Sequence, residues 1–391
     1  MRSRVNKLVK EMKPSGIRRF FDYAAEIPDV ISLGVGEPDF DTPWHVRETG
    51  IAALRSGKTF YTSNAGLTAL REEIAAYTEK QIGVAYHPKD EVLVTVGGSE
   101  GIDVALRTLI EPGDEVVYIE PCFVCYEACI ALAGGIPKPI PLREEDEFRL
   151  RAPDLEAAIT DKTRVLIISF PNNPTGAIME REDLLPIAEI AVKYDLTVIS
   201  DEIYADLTYK GKHTSIASLP GMRERTVVIN GFSKAFAMTG WRLGYAMGPA
   251  EILSQMTKVH QFAIMCAPTV SQYAAIEALK NGAKDVEMMR KSYDSRRRFL
   301  LSEFRRLGIP CFEPYGAFYM FPNISEFGMS SDDFAMRLLR EENVAVVPGS
   351  AFGESGSNNL RISYAYSLGE LKRAMERIEA FITRLRAEKN T

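Results

Sequence analysis

In its second half the chain runs Val227-Val228-Ile229-Asn230-Gly231-Phe232-Ser233-Lys234-Ala235-Phe236-Ala237-Met238-Thr239-Gly240-Trp241-Arg242-Leu243-Gly244. The β-branched opening reads as a short buried strand. It ends in Gly-Phe-Ser-Lys, which puts Lys234 just off the strand. A cation there is costly to desolvate, so its pKa falls and its amine is freed for Schiff-base chemistry. Eight residues on stands Arg242, always charged and fork-shaped, suited to a phosphate. A second apolar run, Leu243 to Met247, follows. An aldehyde that carries its own phosphate would satisfy both cations, and pyridoxal phosphate is the common one.

Outward from this stretch, other apolar runs end in polar residues. Arg164 to Phe170 reads as a buried strand that enters the rigid loop Pro171-Asn172-Asn173-Pro174-Thr175-Gly176. That loop can present the Asn173 amide to a phenolate oxygen, or be a plain turn. Thr197 to Ser200 reads as a strand with Asp201-Glu202-Ile203-Tyr204 at its end. A carboxylate so placed needs a partner, and a pyridinium nitrogen is one, although Asp201 and Tyr204 could instead cap a helix. Glu91 to Val96, then Gly97-Gly98-Ser99-Glu100-Gly101, then a helix over Ile102 to Leu109, reads as strand, glycines and helix N-terminus. Such a turn cups phosphate, with Gly98, Ser99 and Glu100 lending mainly backbone amides. Glu115 to Ile119 is a further strand, and Pro121-Cys122-Phe123 is expected to begin the next helix. Phe123 alone reads as ordinary core. Gly34-Val35-Gly36 lacks the third glycine of a dinucleotide fingerprint, and Pro38 opens a loop.

Taken together and in this order, the motifs closely resemble those of the class I/II aminotransferases, the fold-type I pyridoxal-phosphate enzymes. The resemblance runs from about Leu33 to Ile362 and points to the aspartate/aromatic aminotransferase branch. It implies an α/β fold: a large domain with a mostly parallel seven-stranded sheet, plus a smaller α+β domain. On the family's pattern Lys234 binds the cofactor covalently and Asp201 keeps its ring nitrogen protonated. Tyr204 and Asn173 bond its phenolate oxygen, and Phe123 stacks on its ring. Ser233 is implied among the cofactor contacts, and Arg242 among those to its phosphate. Arg361, in Leu360-Arg361-Ile362-Ser363, is implied as the clamp for the substrate α-carboxylate, which Gly36 and Asn173 also approach. Tyr61 is implied to cross a homodimer interface to the neighbour's cofactor phosphate. The catalytic group is then Lys234, Asp201 and Tyr204.

Alternating strands and amphipathic helices between about 45 and 280 independently argue for a parallel sheet flanked by helices. The expected division is 1–44 as an N-terminal arm and part of the small domain, 45–284 as the large cofactor domain, and 285–391 as the small domain. The arm should hold a strand at Val30 to Leu33 and a short helix from Gly16 to Ala25. Leu67 to Ile82 and Asp285 to Leu307 read as helices, with Arg296-Arg297-Arg298 on a solvated face. Beyond Gly316 the pattern is strand, helix, strand, strand, helix.

Composition narrows the function. The chain has 391 residues, 26% of them charged, and a formal net charge of −6. No dense basic block suggests nucleic acid. No apolar run is long enough for a membrane span, and the basic start lacks the apolar core of a secretory leader. Five cysteines form no disulfide framework, which suits a reducing cytoplasm. Cys122, Cys125 and Cys129, at spacings of three and four, are expected on one helical face as small apolar residues. No metal site is expected.

The activity these features imply is transfer of an amino group from an L-amino acid to a 2-oxo acid, 2-oxoglutarate being the expected acceptor. The cycle would be ping-pong, with the cofactor alternating between pyridoxal and pyridoxamine forms. A β-lyase or decarboxylase would use the same lysine, aspartate and arginine. A non-enzymatic sensor would need an added DNA-binding domain, and a nicotinamide-linked dehydrogenase lacks its glycine fingerprint. Some aspartate-type relatives carry lysine where Ser99 stands, so strict aspartate specificity is not implied.

Overall fold

The computed structural model describes residues 4–12, 27 and 29–389. The helix expected over Gly16 to Ala25 lies outside them. A seven-stranded sheet forms the centre. Its members in chain order are β2 (Val92–Thr95), β3 (Glu115–Glu120), β4 (Ile136–Pro141), β5 (Thr163–Ser169), β6 (Thr197–Asp201), β7 (Thr226–Gly231) and β8 (Gly244–Met247). The spatial order is β2-β8-β7-β6-β5-β3-β4. All pairings are parallel except those of β8 with β2 and β7. The interior strands are apolar on both faces, as helix-covered parallel strands must be. β4 carries Pro137, Pro139 and Pro141, which an edge strand tolerates because its outer backbone pairs with nothing.

A second core surrounds a three-stranded antiparallel sheet of β9 (Tyr319–Met320), β11 (Val347–Pro348) and β12 (Leu360–Ser363). Here β1 (Ile31–Ser32) pairs in parallel with β10 (Val344–Ala345), tying an N-terminal segment to the C-terminal part of the chain. The helices Ala283–Leu307, Ser331–Glu342 and Leu368–Lys389 pack on this core. The pattern beyond Gly316 is therefore strand, helix, three short strands, helix, one strand more than expected. Among the described residues no helix is long and apolar enough to cross a membrane.

Three local expectations are corrected. The segment Pro121 to Phe123 is not helical: the Cys122 N–H is taken by the Phe352 carbonyl at 3.1 Å, and the helix runs Cys125–Leu132. Cys122 is thus in a loop, while Cys125 and Cys129 sit one turn apart on the helix and pack against the main core. The helix expected from Ile102 begins at Gly98, capped by Gly97 at a φ of 79°. Finally, Arg296 and Arg297 do not face solvent. Arg296 bonds Asp39 at 2.7 Å, and Arg297 bonds Asp294 and Glu313, both at 2.9 Å. Buried guanidinium groups need such partners, and only Arg298 of the three is exposed.

Candidate active site

The parallel strands deliver their C-terminal ends to one cavity of about 680 Å³. Gly36, Gly98, Ser99, Phe123, Asn173, Asp201, Tyr204, Ser233, Lys234, Arg242 and Arg361 all line it. They come from distant parts of the chain and meet because a doubly wound sheet gathers its strand ends there. Tyr61 and Glu100 do not line it. Tyr61 stands 81% exposed on the surface.

β7 ends at Gly231, and the chain turns through Ser233 and Lys234 into the cavity. The Lys234 amine donates to the Gly36 carbonyl at 2.6 Å. Burial lowers its pKa to about 8; Glu37 opposes that fall, and Arg361 and Arg242 add to it. Arg242 and Ala237 both hold a φ of 51°, a left-handed conformation that non-glycine residues adopt at some cost. The loop from Lys234 to Arg242 is therefore bent against local preference, and this bend brings Arg242 back to the Gly98 helix. A Cβ on Gly97 would lie 2.8 Å from Arg242 Nη2. A Cβ on Gly244 would lie 2.7 Å from the Gly98 nitrogen, so glycine there lets β8 approach the turn closely. A helix N-terminus with free N–H groups beside a guanidinium is a place for an anion such as phosphate.

Asp201 ends β6 and is buried. It accepts the Tyr126 hydroxyl at 2.6 Å and the Ile203 N–H at 3.2 Å. Burial pushes its carboxyl pKa up, and these two donors pull it back. Phe123 contacts Tyr126 edge-on, with centroids 6.1 Å apart, and both faces the cavity and packs on the core. Phe123 is thus part of the core packing and of the cavity wall at once.

Arg361 projects from β12 and is 2% exposed. It donates to Asn173 Oδ1 at 3.0 Å and to the Gly34 carbonyl at 2.5 Å. Its guanidinium sits over the rings of Tyr319, at 4.5 Å, and Phe352, at 4.7 Å. Its Nε is buried with no partner among the described residues. An unpaired, buried, charged donor at a cavity wall calls for an acceptor such as a carboxylate. The Tyr204 hydroxyl bonds that of Tyr319 at 2.7 Å. Gly36 leaves room for that tyrosine, because a Cβ there would lie 2.5 Å from the Tyr319 hydroxyl.

Tyr126, Tyr319 and Glu37 were not singled out in the sequence, yet all three line the cavity. Tyr126 stands three residues past Phe123, the one signal that could have drawn attention to it. Among the described residues no cluster of His, Cys, Asp and Glu is placed to hold a metal.

The model of the family "Aminotransferase class I and II" matches residues 28–378. The chain belongs to that family and is an aminotransferase. A putative aminotransferase of Bacillus subtilis, YugH, is 53% identical over 382 residues, 98% of this chain and 99% of that one. An aspartate aminotransferase of Pyrococcus abyssi is 47% identical over 94% of this chain and 95% of its own length. The crystal structure of an aromatic aminotransferase from Pyrococcus horikoshii, 47% identical, superposes with a TM-score of 0.90 over 93% of this chain and 99% of that one.

Proposed function

We propose that the chain is a pyridoxal-phosphate-dependent, homodimeric aminotransferase of the aspartate/aromatic branch. On this reading it moves the amino group of an aspartate-like, aromatic or related L-amino acid to 2-oxoglutarate in ping-pong fashion. The observation that carries this is the half-buried Lys234 amine, with a pKa near 8, sharing a cavity with Asp201 and Arg361. The five thiols are free, which supports a reducing, cytoplasmic setting.

The residues fit the cofactor. The N–H groups of Gly98, Ser99 and Glu100, with Ser233 and Arg242, would hold its phosphate. Phe123 would cover its ring, and Asn173 and Tyr204 would meet its phenolate oxygen. Asp201, supported by Tyr126, would accept its ring N–H. Lys234 would anchor it. When bound, pyridoxal phosphate supplies an aldehyde for the amino group and a ring that draws electrons from Cα.

The chain's own groups do the rest. Arg361 grips the α-carboxylate through donors that include its unpaired Nε, with Gly36 and Asn173 alongside, and so aims Cα–H at Lys234. With a pKa near 8, the Lys234 amine is in part unprotonated at neutral pH. Its Nζ would take the Cα proton and hand it to the carbon on the far side of the amino nitrogen. Tyr61 of each subunit would complete the partner's phosphate site.

The test is a half-reaction. Purified enzyme loaded with pyridoxal phosphate is mixed with one amino acid at a time, without acceptor, and the products are identified. One 2-oxo acid per site is expected, with the cofactor's visible absorbance bleached in step. Sustained turnover that releases pyruvate, ammonia or carbon dioxide would make it a lyase or decarboxylase instead.

A further inference from the structure

The helix that would receive the phosphate carries an acidic residue, Glu100, in its first turn. A loose carboxylate at this position would compete with a bound anion for the same N–H groups and dipole. Here it is tied from two sides and kept out of the cavity lining. One oxygen accepts the Val96 N–H, just before the Gly97–Gly98 turn. The other pairs with Nδ1 of His260 at 2.7 Å. His260 belongs to the Ala250–Ala263 helix, which packs on the Gly98–Leu109 helix, and it is wholly buried. Its Nε2 meets no partner among the described residues. A buried N–H without an acceptor is rarer and costlier than an unused lone pair. We therefore assign the proton to Nδ1, from which it is donated to Glu100.

We infer that His260 is a positioning residue for the phosphate end of the cofactor, an inference that rests on the pyridoxal-phosphate reading above. It touches neither cofactor nor substrate. By holding Glu100 it fixes the Val96 N–H, and with it the Gly97–Gly98 turn against which Arg242 lies. It also stops the carboxylate from swinging into the place of the anion. The Thr95 hydroxyl, bonded to the Gly97 carbonyl at 2.9 Å, braces the same turn from inside the sheet.

The test compares two ligands of the apoenzyme, pyridoxal phosphate and pyridoxal, which lacks the phosphate. In His260→Phe, which keeps a ring but removes the donor, pyridoxal phosphate should bind about tenfold more weakly or worse, while pyridoxal affinity stays within about twofold. His260→Asn, whose amide nitrogen reaches the place of Nδ1, should recover most of the loss. Equal weakening of both ligands, or of neither, would overturn the proposal. Should His260→Phe fail to fold, hydrogen exchange of the wild-type apoenzyme decides: the Val96 amide should be protected before any cofactor is added, and exchange at an unprotected rate would overturn it. If the wild type itself does not prefer pyridoxal phosphate to pyridoxal, the cofactor reading has failed, and not the role of His260 within it.

Discussion

Lys234 owes its reactivity to where the backbone leaves it. Burial and the nearby Arg361 and Arg242 hold its pKa near 8, against an ordinary value of 10.5. Between these two values the unfolded chain binds a proton that the folded chain does not, so this group makes the apoenzyme more stable as pH rises through that window. The cost of keeping the amine uncharged thus falls away on the alkaline side, where it is also most nucleophilic. Asp201 is the opposite case, a carboxylate whose burial favours the neutral acid and whose two hydrogen bonds favour the anion. Tyr126→Phe removes the shorter of these bonds. It should push the Asp201 pKa further up, weaken pyridoxal phosphate binding by about tenfold and cost about 1–3 kcal/mol in denaturant unfolding. Unchanged affinity and stability would show that Tyr126 is mere packing. Lys234, Asp201 and Asn173 were legible in the sequence because each follows a short apolar strand run, and Arg361 only through the resemblance of Leu360-Arg361-Ile362-Ser363 to the family's pattern. Tyr126, Tyr319 and His260 were not, because their partners lie 75, 115 and 160 positions away. Nothing local marks such a tyrosine or histidine as other than core.

At the level of elements, strand positions followed from apolar runs, and the sheet was expected to be mostly parallel. Two helix starts did not follow, because a helix begins where backbone donors are free to begin it. The Cys122 N–H is spent on Phe352, while Gly97 lets the next segment turn helical at once. The Ala283–Leu307 helix teaches a different lesson. Its three consecutive arginines read as a solvated face, yet consecutive helical positions point about 100° apart and cannot share one environment. Arg296 and Arg297 turn inward to Asp39, Asp294 and Glu313. Arg297→Ala removes the buried partner of Glu313 and Asp294 and leaves each with one exposed arginine, Arg305 and Arg298, so unfolding measurements should register a loss of about 1–3 kcal/mol. Arg298→Ala, whose side chain is 66% exposed, should change stability by less than about 0.5 kcal/mol.

For the whole molecule, the cavity lies between the main sheet core and the second core, since Lys234 and Asp201 come from the first and Tyr319 and Arg361 from the second. We propose that the division between the two parts falls near residue 285, inside the start of the long helix. Val286 of that helix packs with the sheet-side residues and Met289 onward with the second core. Phe60, Tyr61 and Phe262 are each at least 81% exposed. Bonds from Thr269 to the Phe60 carbonyl and from Asn64 to the Met265 carbonyl tie the segment of Phe60 and Tyr61 to the one that follows Phe262. Exposed aromatic side chains on tied segments fit burial against a second copy. If Tyr61 serves the partner's site, a mixed dimer of Tyr61→Ala and Lys234→Ala subunits contains one intact site. Random reassortment makes half of the dimers mixed, so mixing these two impaired variants should restore up to about a quarter of the wild-type activity. No recovery after subunit exchange would place Tyr61 outside the active site.

The proposed chemistry turns on the Lys234 amine, which reductive trapping can identify. Apoenzyme is exposed briefly to pyridoxal phosphate and cyanoborohydride across a range of pH, then digested and its labelled peptide sequenced. The label should fall on Lys234 at one per chain, with a rate that rises through a midpoint near pH 8 and levels above it. A label on another lysine, or a rate that still climbs towards pH 10.5 as for an ordinary surface amine, would contradict the central claim.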